Sequence, residues 1–161
     1  MSGCIALIVG AGRSHRFGGD IPKQYSTLAG LPMINRTVAA FVLHPAITGV
    51  RVVISPDDKA LYFEAIKQHS FSKLLEPVNG GATRQQSVCL GLESLMGMVP
   101  DQVLIHDAAR PFVSHGIIDR VIEALGRSKG AIAAIPVHDT LKKSDCNFVK
   151  TTISRSALWQ A

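Results

Sequence analysis

The chain contains no run of about 18 apolar residues that could span a bilayer and no charged-then-apolar leader, so a cytoplasmic location is expected. Cysteine is scarce too. Cys4, Cys89 and Cys146 are odd in number and share no metal-like spacing, which argues against a disulfide framework and against a zinc site. Also missing is a basic helix, or a basic stripe interleaved with aromatics, of the kind that grips a polynucleotide. Charged residues make up 18% of the 161 and hydrophobic residues 47%, with a net charge of +5. That balance suits one domain able to bury about two-thirds of its unfolded surface. Much of the positive charge stands in turns after apolar runs, at Arg16, Lys23, Arg84 and Arg110. Such placement favours a small anionic ligand over nucleic acid or a membrane surface.

Apolar runs at 4–9, 50–54, 74–78, 103–105 and 131–137 are mostly too continuous for half-exposed strands and predict strands buried on both faces. Between them, 32–43, 58–68, 83–96 and 114–126 have helical spacing; in the first, Ile34, Val38, Phe41 and Val42 share a face. Pro32 stands at an N1-like position, and Ser114 precedes the last helix as its expected cap. The alternation predicts an α/β fold with a doubly wound, mostly parallel sheet, whose ligands sit outside the carboxyl ends of its strands. From 138 to 161 the pattern changes to a polar stretch with short strand-like pieces at 140–143 and 148–153, an extended β-arm that needs a partner surface.

The loop after the first run reads GAGRSHRFGGDIPKQ over 10–24. Glycine-rich backbone and fixed cations converging on one point suit a polyphosphate. The kinase-type phosphate loop does not fit, because Gly18 is followed by Gly19 and Lys23 lies farther on. A dinucleotide fingerprint fails at His15, and no acidic residue stands near twenty positions past Gly10 to take a ribose hydroxyl, which disfavours a dehydrogenase. There remain Arg16 and Lys23, the latter behind the stiff Pro22, as cations able to offset charge building on a phosphoryl group. A second cluster, His106-Asp107-Ala108-Ala109-Arg110-Pro111, follows the run at 103–105. Asp107 suits Mg²⁺, and Arg110 can grip a phosphate; an Asp–Arg ion pair that simply closes the loop is the other reading. His106 reads as structural. A third stretch, 79–87, is a glycine turn entering a helix, with Thr83 as a cap and Ser87 one turn inside; its backbone can read a pyrimidine edge, or it can be an ordinary helix start.

Taken in order, the PKQY of 22–25, the GGATRQQSV of 80–88, the HDAARP of 106–111 and the DT of 139–140 resemble the 2-C-methyl-D-erythritol 4-phosphate cytidylyltransferase family over the whole chain. The wording near 80–86 is similar to the fused form that carries a 2-C-methyl-D-erythritol 2,4-cyclodiphosphate synthase domain. The resemblance implies a fold of the nucleotide-diphospho-sugar transferase type. It also implies a reaction in which CTP and methylerythritol phosphate give the CDP-alcohol and pyrophosphate. By the same resemblance Arg16 and Lys23 are the catalytic cations, Gly10, Ala11 and Gly12 cradle CTP, and Gly81 and Ser87 read cytosine. Asp107 holds Mg²⁺ and Arg110 contacts substrate. Thr140 and Arg155 lie on an arm that reaches into the other protomer of a homodimer. Gly10 and Ser14 depart from the family's Ala-Ala-Gly-x-Gly-x-Arg loop. The chain also stops at Ala161, where the family continues into a further strand, helix and acidic region, so an incomplete domain is expected. Two other readings stay open: a cytidylyltransferase for another alcohol phosphate such as ribitol phosphate, and a nucleotide-binding or dimerisation module without turnover.

Overall fold

In the computed structural model, which describes residues 3–12, 21–67 and 71–161, the run CIALIV forms β1 (Cys4–Val9), buried at every position. A strand with no polar face takes the centre of a sheet. A tight hairpin follows, β2 (Thr27–Leu28) and β3 (Leu31–Pro32), whose turn residues Ala29 and Gly30 have φ of 47° and 84°. Then come α1 (Met33–Val42), β4 (Ile47–Ile54), α2 (Lys59–Ile66), β5 (Val78–Asn79), α3 (Arg84–Glu93), β6 (Gln102–Asp107) and α4 (His115–Leu125). Among the described residues, β5, β4, β1 and β6 lie side by side in that order, every pairing parallel. This is the expected α/β sheet, and its order reverses at β1.

Strand register assigns the two faces. Ile8 stands beside Val52 and His106, whereas Val9 stands beside Val53 and Asp107, and neighbours in register share a face. α1 covers the first face: the Phe41 ring lies 5.0 Å from that of His106, and Ile34, Val38, Phe41 and Val42 are buried as the helical spacing predicts. α3 covers the second face with small residues, Ser87 and Gly91, both buried. A methyl at Gly91 would stand 2.7 Å from Leu7 and 2.8 Å from Val53, so glycine is what lets this helix lie so close to the sheet.

Several boundaries differ from the sequence reading; β4, for one, begins three residues before the run at 50–54. The run at 74–78 yields only β5, plus an isolated bridge between Leu74 and Val50, because Pro77 has no N–H to continue the ladder. The run at 103–105 is longer than expected: its pairing with β1 extends from Cys4 beside Gln102 to Val9 beside Asp107, so His106 and Asp107 sit on the strand itself. Pro32, at φ −56° and ψ 141°, caps α1 from outside its first turn.

The described backbone divides into two compact units, Met1–Ile122 and Glu123–Ala161. The second holds β7 (Ile135–Pro136), β8 (Leu141–Asp145), β9 (Phe148–Ile153) and β10 (Trp159–Gln160). β8 and β9 pair antiparallel about a turn in which Cys146 and Asn147 have φ of 45° and 69°, which gives the extended arm its hairpin. The run at 131–137 is not one continuous buried strand. Only Ile135–Pro136 is extended, paired antiparallel with Trp159–Gln160. Pro136 cannot donate to a ladder, and Ile132 and Ile135 are exposed, so apolar composition there does not bring two-sided burial. Among the described residues, no helix is long and apolar enough to cross a membrane.

Candidate active site

Three loops leave the carboxyl edge of the sheet, and each is tied to it by a bond that extends the ladder one residue past its strand. The Gly10 N–H donates to the Val53 carbonyl at 2.7 Å, the Gly80 N–H to Ile54 at 2.8 Å and the Ala108 N–H to Val9 at 2.9 Å. From α1, the Thr37 hydroxyl donates to the Ala108 carbonyl at 2.8 Å and holds the third loop from below. The first two loops touch. A methyl added at Gly80 would overlap the Ala11 methyl and stand 2.8 Å from Ser87 Oγ, so their contact depends on glycine.

The loops enclose a cavity of about 760 Å³, within the range of small-ligand sites. Of the residues expected from sequence, it gathers Gly10, Ala11, Gly12, Lys23, Gly81, Ser87, Asp107 and Arg110. Arg16 lies outside the described residues. Thr140 and Arg155 belong to the second unit, where both are exposed and the Arg155 guanidinium donates to the His138 carbonyl.

Lys23 opens a 3-10 turn, Lys23–Tyr25, that Pro22 enters at φ −57°. The Tyr25 N–H donates to Pro22 at 2.9 Å and the Ser26 N–H to Lys23 at 3.1 Å, so the backbone carrying this ammonium is held. Gln24 ties the turn to the glycine loop. Its buried amide donates to the Gly10 carbonyl at 2.6 Å and, more weakly, to Gly12 at 3.4 Å. These bonds fix the backbone of 10–12 where it lines the cavity.

The helix α3 begins with a complete capping box. The Thr83 hydroxyl accepts from the Gln86 N–H at 3.1 Å while the Gln86 side chain accepts from the Thr83 N–H at 3.3 Å. Ser87 closes the turn behind it: its Oγ accepts from the Gly81 N–H at 3.1 Å and donates to the Thr83 carbonyl at 2.9 Å. The two residues expected to read a base are thus bonded to each other at one wall of the cavity.

Opposite them, the carboxylate of Asp107 is held on both sides. Arg84 donates to Oδ1 from Nε and from a terminal nitrogen, at 3.0 and 2.9 Å, and Arg110 Nε lies 3.2 Å from Oδ2. The Asp107–Arg110 ion pair considered from sequence is present, with a second guanidinium besides. His106 has a structural place. Burial lowers the pKa of its imidazole, and its Nε2–H donates to the Arg110 carbonyl at 2.9 Å.

Sequence reading missed two residues of this site. Gln24 stood only as a letter of PKQY, and Arg84 only as one cation among several. As a donor set for Mg²⁺ the site offers one partly exposed carboxylate, and no group of three or more His, Cys, Asp or Glu among the described residues could hold a metal. That fits Mg²⁺ arriving with a polyphosphate, since this ion takes one or two carboxylates and completes its shell with phosphate oxygens and water.

The family model of 2-C-methyl-D-erythritol 4-phosphate cytidylyltransferase matches residues 4–161. The chain belongs to that family. It is 53% identical to the bifunctional enzyme IspD/IspF of Paramagnetospirillum magneticum and 52% identical to that of Rhodospirillum rubrum, in both cases over all 161 residues. It spans about two-fifths of the length of these curated relatives, 41% of each. A solved 4-diphosphocytidyl-2C-methyl-D-erythritol synthase has the same fold, with a TM-score of 0.81 at 32% identity over 99% of this chain and 72% of that one.

Proposed function

We propose that this cavity binds CTP, and that the protein transfers CMP from it to 2-C-methyl-D-erythritol 4-phosphate in cytoplasmic, non-mevalonate isoprenoid precursor synthesis. The observation that carries the proposal is the meeting of three sheet-anchored loops and Lys23 around one cavity, in a chain of this family. The backbone of 10–12 cradles the triphosphate, and the Gly81 and Ser87 wall reads the base. Arg110 binds substrate phosphate.

The attacking phosphate is already an anion, so no general base is needed. Its oxygen forms a bond to the α-phosphorus of CTP as the bond from that phosphorus to the bridging oxygen breaks, and pyrophosphate leaves with the electron pair. Charge accumulates on the phosphoryl oxygens and the leaving group; Lys23 offsets it from held backbone, and Arg16 is assigned the same role by family resemblance. Mg²⁺ on Asp107, when bound, supplies further charge neutralisation for phosphate oxygens.

The β8–β9 hairpin supports a second element of the proposal, a homodimer. Phe148 and Val149 are exposed there by 79% and 66%, so the arm has apolar surface that a second copy could cover, and Thr140 and Arg155 would then serve the partner's site. The experiment on the function is phosphorus NMR of the protein incubated with CTP, Mg²⁺ and either methylerythritol phosphate or ribitol phosphate. Equal yields of pyrophosphate and a CDP-alcohol from the first alone are expected. Turnover of ribitol phosphate instead, or CTP binding without pyrophosphate, would transfer the chain to one of the other readings.

A further inference from the structure

The geometry points to Arg84 as a residue that keeps Asp107 closed to divalent cations until a nucleotide supplies the guanidinium with another partner. The inference rests on the reading of the cavity as a nucleotide site. Arg84 is the first residue of α3, and the capping box of Thr83 and Gln86 holds its backbone. From there its guanidinium crosses to Asp107, 23 residues away in sequence, and places two donors on one oxygen. Arg110 takes the other oxygen. Two positive groups around one negative group leave the cluster with a formal charge of +1, so a bare divalent ion meets repulsion and finds both oxygens engaged.

The same arrangement is easy to undo in the presence of phosphate. The Arg84 and Arg110 side chains are 62% and 67% exposed, and ion pairs so open to solvent are weak. A guanidinium binds phosphate oxygens in a fork as readily as it binds carboxylate. Arg84 also lines the cavity between Thr83 and Ser87 on one side and Asp107 on the other, so a short swing reaches a phosphate chain lying there. When it leaves Asp107, the carboxylate becomes available to the cation that accompanies the nucleotide. Arg84 is thus a positioning residue that couples cation binding to nucleotide binding, and it needs no role in the chemical step.

The test is Mn²⁺ binding without nucleotide, followed by the loss of the free-ion electron paramagnetic resonance signal on titration of the protein. The wild-type protein is expected to bind Mn²⁺ weakly, and Arg84→Gln to bind it about fivefold to tenfold more tightly, a gain cancelled by adding Asp107→Asn. In EDTA, where no cation takes part, Arg84→Gln should bind CTP severalfold more weakly, and Arg84→Lys should fall between it and wild type in both measurements. A merely structural Arg84 would change the two affinities in the same direction. Unchanged or weaker Mn²⁺ binding by Arg84→Gln, with its circular dichroism intact, would overturn the inference. Because the Mn²⁺ measurement involves no turnover and no alcohol phosphate, its outcome is separate from that of the proposed reaction.

Discussion

Replacing Lys23 by alanine is expected to lower kcat by about a hundredfold or more, with little change in KM for CTP. The reason is where the ammonium is mounted. Pro22 sets the entry into the 3-10 turn, two backbone bonds close the turn, and the next side chain, Gln24, binds the turn to the glycine loop at the cavity. A cation on such a support needs no rearrangement as charge builds on the phosphoryl group, so it favours the transition state over the bound substrate. Alanine removes the charge and leaves the support in place. Steady-state kinetics decides the matter: a rise in KM with kcat unchanged would mean that Lys23 only holds substrate.

Mixing two inactive variants, Arg155→Ala and Lys23→Ala, should restore activity to about one functional site per mixed dimer. The proposal puts Lys23 in the cavity of one protomer and Arg155 on the arm that serves its partner. A mixed dimer then has one site lacking both groups and one site lacking neither. Phe148 and Val149 of the hairpin are exposed, which leaves apolar surface for the proposed pairing. Activity is read after the two preparations are allowed to exchange protomers. No recovery on mixing, or a monomer in sedimentation at micromolar concentration, would exclude this arrangement.

The parts of the fold that sequence revealed are those where burial is two-sided and local. Cys4–Val9 reads as a central strand because it has no polar residue to face water, and Ile34, Val38, Phe41 and Val42 read as a face because their spacing matches one helix turn. Thr83 reads as a cap because its partner is three residues away. Composition misled at 131–137, where an equally apolar run is exposed and interrupted by Pro136. The site residues that escaped notice are bound across distance. Gln24 meets Gly10 from 14 residues away and Arg84 meets Asp107 from 23, and neither separation has a period or a motif to announce it. These contacts exist only once the parallel ladder has set Gly10, Gly80 and Ala108 along one edge.

Calorimetry of CTP against UTP directly tests the proposed cytidine site at that edge. The two nucleotides share every phosphate and differ at the base edge that the Gly81 and Ser87 wall would read. Leaving a buried polar group unpaired costs about 1–3 kcal/mol, so CTP is expected to bind at least about fivefold more tightly than UTP. Equal affinities would contradict the account.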